Sequence, residues 1–135
     1  MAVVEYLGHA SFRIFSDNHL KILIDPWIIG NKICNVSIEE LRDADLIMVT
    51  HGSFDHLGDT LEIAQQGRAQ IVCCPAVRMH LICNGLDEKR IIGVVYGYEF
   101  EINSLRVKVL DAKHISFFKS KKQYLTGIPL SYLLY

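Results

Sequence analysis

The chain has 135 residues, with 14 basic and 15 acidic side chains and a formal net charge of -1. That length fits one domain at most. With no basic stripe or acidic tail, neither nucleic acid nor an anionic membrane is an expected partner. Although 50% of the residues are hydrophobic, no apolar run is long enough to span a bilayer, and the first five residues lack a basic start and a cleavage site. In chain order, residues 2–15 and 20–25 read as two strands joined by a turn at Ser16-Asp17-Asn18. Val4, Tyr6 and the stretch Ser11 to Phe15 show the alternation of a sheet with one face on a core. Gly8-His9 interrupts the first strand, as a bulge does. His9 is either a hydrogen-bonded histidine beside that bulge or a group that contacts substrate or supports a ligand. The next strand ends on Asp25-Pro26, where Asp25 reads as the cap of the following turn. Trp27 is either a pocket wall or core.

Ser37 with Glu40 forms a capping-box pattern that opens a short helix. Leu46-Ile47-Met48-Val49 then reads as a strand buried on both faces. It runs into Thr50-His51-Gly52-Ser53-Phe54-Asp55-His56, a loop carrying two imidazoles and a carboxylate. Such a mixture suits a borderline divalent ion such as zinc or manganese, and strand ends are where α/β sheets place ligands. Phe54 and Leu57 are expected to anchor the loop by packing inward. Asp59 is expected to cap the following helix, which Gly67 closes. Gln70 to Cys74 reads as a second parallel strand, and Pro75 opens a helix that runs to Asn84. Strand and helix alternating in this way mark an α/β fold with a parallel pair. His80, inside that helix, reads as a surface or packed histidine.

Ile91 to Val95, Tyr98 to Ile102 and Leu105 to Leu110 read as an antiparallel run, followed by Asp111-Ala112-Lys113-His114. Residues 116–123, with Lys119, Lys121 and Lys122, read as a solvated loop, and the chain closes on an apolar strand. Cys34, Cys73, Cys74 and Cys83 contain no Cys-x-x-Cys pair. The vicinal pair reads as small hydrophobes, which fits a reducing cytoplasm.

His51, Asp55, His56, Leu57, Gly58 and Asp59 resemble the His-x-His-x-Asp-His-Leu-Gly-Asp signature of the metallo-β-lactamase superfamily, with Ser53 in place of the second His. Tyr6-Leu7-Gly8-His9-Ala10-Ser11, Ile22 to Trp27 and Asp111 to His114 follow in the family's order. Together they are similar to the metal-dependent hydrolases that include ascorbate-6-phosphate lactonases. The resemblance implies mixed sheets with helices on the outer face, a partial αββα sandwich, in a single, apparently truncated domain over residues 1–135. It also implies that His51, Ser53 and His114 occupy one metal site, and Asp55 and His56 a second. Asp55 and His56 are the catalytic candidates, and Asp55 would also orient a water. Without a histidine at position 53, the expectation reduces to one weak zinc or manganese site of His51, Asp55, His56 and His114, supported by His9 and Asp25.

Two functions of different class follow. One is metal-dependent hydrolysis of a small ester, lactone or phosphate-bearing substrate. The other is a catalytically inactive remnant or subunit that uses the fold for assembly. The apolar excess further leads us to expect a homodimer, or a complement to a missing second half, with Val4, Phe12, Ile14, Val107 and Val109 at the interface.

Overall fold

The computed structural model describes all 135 residues. Six strands make the first sheet in chain order: β1 (Val3–Gly8), β2 (Ser11–Phe15), β3 (Lys21–Ile24), β4 (Leu46–Met48), β5 (Gln70–Cys73) and β6 (Ile91–Gly93). β1, β2 and β3 are antiparallel, whereas β3 to β6 run parallel. The register shifts between Tyr6 and Gly8, as the expected bulge does, and Gly8-His9 then opens a chain reversal between two strands. Both residues adopt positive φ, 102° and 57°, the conformation that such a tight turn needs.

The crossovers carry α1 (Ile38–Leu41), α2 (Thr60–Gln66) and α3 (Pro75–Cys83). Since β3 to β6 are laid down sequentially in one direction, right-handed crossovers put the three helices on one face. Ser37 forms the expected reciprocal capping box with Glu40. β6 corrects the antiparallel reading of residues 91–95. It follows a helical crossover, and so returns parallel to β5.

After Gly97 (φ 93°) the chain leaves for the opposite face. It adds β7 (Glu99–Ile102), β8 (Leu105–Asp111), β9 (Phe117–Ser120), β10 (Gln123–Thr126) and β11 (Leu130–Leu134). β11, β8 and β7 form a three-stranded antiparallel sheet, while β9 and β10 form a hairpin. That hairpin corrects the solvated-loop reading. Phe118 and Ser120 alternate inward, with Phe117 and Lys119 outward, a period hidden in the sequence by its lysines.

The two sheets face each other. Val107 and Val109 are fully buried, while Arg106 and Lys108 on the same strand are exposed. Tyr132 donates its hydroxyl to the Val49 carbonyl across the gap at 2.7 Å. Leu46, Ile47 and Met48 have no accessible surface, since helices cover one side of β4 and the second sheet covers the other. Burial of each such side chain stabilises the fold by about 1.5–3 kcal/mol. The layers are those of the partial αββα sandwich expected from the sequence. Val107 and Val109, expected at an interface with another chain, instead belong to this chain's own core. Val4 is exposed, and Phe12 and Ile14 are half-buried.

Candidate metal centre

The strand ends of β3 and β4 bring the centre together. Asp25, just past β3, is 2% exposed and takes up three donors. Its Oδ1 accepts the Thr50 backbone N–H at 2.7 Å. Its Oδ2 accepts the Thr50 hydroxyl at 2.6 Å and His56 Nδ1 at 2.8 Å. The Thr50 hydroxyl has only one proton, already given to Asp25, so it can only accept from His51 Nδ1, 2.9 Å away. His114 Nδ1 stands 2.9 Å from the Ile115 carbonyl, which has no proton to offer. The network thus puts a proton on Nδ1 of all three imidazoles and leaves a lone pair on each Nε2.

These rings cluster. Centroids lie 4.1 Å apart for His51 and His56, 4.4 Å for His51 and His114, and 6.1 Å for His56 and His114. His51 Nε2 is buried with no hydrogen-bond partner. Burial, reinforced by the nearby His56, pushes His51 down to about 4, so its lone pair stays free at neutral pH. Burial alone would lower His56 too, but its bond to Asp25 raises it overall.

Asp55 is held from both sides. Ser53 donates its hydroxyl to Oδ1 at 2.6 Å, and His9 Nε2 meets Oδ2 at 2.9 Å. Burial works against its charge, yet the Ser53 bond keeps this carboxyl below its usual range. Its Oδ2 is 3.9 Å from His56 Nε2. Two overlapping groups have donor atoms within 4.8 Å of one another: His9, Asp55 and His56, and Asp25, His51 and His56. Because Asp25 already takes three donors from the Thr50–His56 loop, it fits the supporting role given to it in the sequence. A bare buried nitrogen beside two further imidazole lone pairs and an ionised carboxylate fits a transition ion in chemistry and number.

All six residues singled out in the sequence thus come together. Thr50 was missed, although a threonine directly before His51 at a strand end was its signal. Ser116 was missed as well. It accepts the buried Gly52 N–H at 3.1 Å, tying the His51 loop to the segment that bears His114. Asp59 is corrected: its carboxylate caps no helical N–H but accepts from the Ile28 and Ile29 N–H groups at 2.6 and 2.9 Å. Phe54 is corrected too. It is 75% exposed and meets Trp27 edge-on at 5.8 Å, so only Leu57 anchors the loop inward. Trp27 is a half-buried rim residue that also meets His9 edge-on at 5.4 Å. His80 is packed away from the cluster, bonded to Ser120 at 2.7 Å.

The model of the β-lactamase superfamily domain matches residues 3–127. A metal-dependent hydrolase of Methanobrevibacter smithii is 37% identical over 113 residues, 84% of this chain and 46% of that protein. One of Pyrococcus horikoshii is 38% identical over 138 residues, 99% of this chain and 56% of that protein. Among solved structures, Igni18, described as a novel metallo hydrolase from the archaeon Ignicoccus hospitalis, has a TM-score of 0.81 at 26% identity, covering 100% of this chain and 56% of its own. Rm3 metallo-beta-lactamase shares the fold, with a TM-score of 0.57 at 17% identity over 93% of this chain and 56% of its own. The chain spans about half the length of the curated relatives it matches.

Proposed function

We infer function from kinship and geometry together: the chain belongs to the metallo-β-lactamase superfamily, and its imidazole cluster supports metal-dependent hydrolysis of a small ester, lactone or phosphate-bearing substrate. His51, Asp55, His56 and His114 would hold one divalent transition ion, zinc or manganese. Such an ion, when bound, brings a coordinated water toward a neutral pKa and polarises the oxygen under attack. Asp25 holds His56, and Thr50 holds His51, in the tautomer that bares Nε2. Asp55, kept ionised by Ser53, contributes a ligand oxygen and orients the attacking water. Trp27 and Phe54 give the small-molecule substrate an apolar rim.

The observation that carries this reading is the buried, unpartnered Nε2 of His51. Leaving it so costs about 1–3 kcal/mol, a cost that a ligand role offsets. The test is elemental analysis after dialysis against zinc or manganese. About one ion per chain is expected, with none in the double variant His51→Ala, His56→Ala. Equal metal in both proteins would sink the reading. It would leave the alternative of an inactive remnant or assembly subunit, which Ser53 at a ligand position favours.

Assembly is part of the same proposal. Val3, Val4 and Tyr6 lie exposed along β1, supporting pairing with a second copy or with the further half that the relatives possess. Light scattering giving twice the chain mass is the expected result for a homodimer, and a monomer mass that persists across dilution would exclude it. No helix is long and apolar enough to cross a membrane, and four unpaired thiols support a cytoplasmic setting.

A further inference from the structure

Resting on that reading of the centre, we propose that His9 is itself a metal ligand, supplying the nitrogen that Ser53 cannot. The Ser53 hydroxyl gives its proton to Asp55 Oδ1, and its neutral oxygen is a far poorer ligand than the imidazole it replaces. On the other oxygen of the same carboxylate, His9 Nε2 stands 2.9 Å from Oδ2, with His56 Nε2 at 3.9 Å from that atom. Two donors each about 2.1 Å from one ion, at the usual angles between neighbouring ligands, are separated by about 3.0–3.4 Å, a range that the two distances bracket. The His9 and His56 rings meet edge-on at 5.5 Å. The hydrogen bond between His9 and Asp55 is compatible with this role. A cation entering there displaces the proton that the two groups share, as ligand protons are displaced when metal binds.

The placement of His9 is built into the fold. Its backbone sits at positive φ, 57°, the left-handed region that residues with a Cβ seldom adopt. The turn is pinned from below by Asn31, whose Nδ2 donates to the Gly8 carbonyl at 3.1 Å. A Cβ on Gly8 would lie 2.9 Å from both Asn31 Oδ1 and Ile33 Cβ, so the loop after β3 closes tightly under the turn. Trp27 braces the ring from the side. Strain, a pinned backbone and a braced ring all serve to aim one imidazole at Asp55. A nitrogen-rich set of this kind suits a borderline transition cation better than magnesium or calcium.

The test is zinc affinity, measured by competition with a chromophoric chelator, together with the visible absorption of the cobalt(II)-loaded protein. Wild type would be compared with His9→Ala, His9→Gln, His56→Ala and the double variant His9→Ala, Ser53→His. Both His9 variants should lose more than about 100-fold in affinity, beyond the loss expected for an outer hydrogen bond alone, and should change the cobalt spectrum. The double variant should recover most of that loss, because it restores a nitrogen at position 53. His9→Gln retains an N–H for Asp55 but not the imidazole. If it binds zinc as wild type does, His9 only orients Asp55 and the proposal is overturned. If His56→Ala also binds like wild type, or wild type binds nothing, the centre itself has been misread, a failure distinct from that of His9. Circular dichroism on each variant separates loss of a ligand from loss of the fold.

Discussion

Two arms deliver imidazoles to one place by opposite means. The arm from β3 and β4 is buried and closed. Asp25, Thr50, His51 and His56 satisfy one another at 2.6–2.9 Å, and Asp59 and Leu57 fasten the loop's far end. The arm between β8 and β9 is open. His114 is exposed and makes a single bond, to the next residue's carbonyl. In the first arm, the groups that orient the ligands also hold the fold together. In the second, a ligand can be lost or moved at little cost to anything else. A site built this way keeps two imidazoles preorganised and leaves the third free to adjust.

The contrast is broken most severely at Asp25. Asp25→Ala strands three donors, two of them on side chains, and should cost about 3–5 kcal/mol, read as a fall in the urea midpoint together with loss of metal. A stability change within about 0.5 kcal/mol, the scale of an ordinary surface substitution, would mean that the closed arm is not closed. The junction of the arms comes next. A Cβ on Gly52 would lie 2.1 Å from the Phe118 ring of β9. Gly52→Ala should therefore cost about 1–3 kcal/mol and weaken metal binding by displacing the segment that bears His114.

A smaller effect attaches to His80, which fastens α3 to β9 behind the open arm. Burial lowers its pKa from 6.5. The unfolded chain therefore takes up the proton first, and stability should decline as pH falls below about 6.5. Urea midpoints measured against pH for wild type and His80→Asn should converge toward the acid side, whereas parallel curves would remove His80 from the account. The smallest effect on folding belongs to His114→Ala, within about 0.5 kcal/mol, although zinc affinity should fall at least about tenfold. A large loss of stability there would erase the difference between the arms.

The closed arm is also the part that the sequence displays best. His51, Asp55 and His56 lie within six consecutive residues after an unbroken apolar strand, and Asp25 ends the neighbouring strand. Thr50 is harder to see, because its role depends on which way one hydroxyl proton points. Asp59 shows the limit of local rules. Its position predicts a cap, yet two N–H groups thirty residues away in sequence offered its carboxylate a better place. The hairpin of β9 and β10 was hidden because its inward pair, Phe118 and Ser120, is separated by Lys119 and followed by two more lysines. Nothing within residues 91–95 distinguishes a parallel edge strand from an antiparallel one. Only the preceding helix decides it.

Tyr132 and Leu130 bear on how the molecule is made. The Tyr132 hydroxyl reaches the Val49 carbonyl across 83 positions of sequence, and the Leu130 N–H reaches the Thr50 carbonyl at 2.7 Å. Both grip the strand end from which the His51 loop departs. During synthesis the first half of the chain emerges first and begins to fold, so the loop spends that interval without these two clamps. Such long closures are slow relative to local structure. Leu130 and Tyr132 therefore finish the histidine cluster, and a nascent chain halted before residue 130 would carry its imidazoles on an unfinished frame.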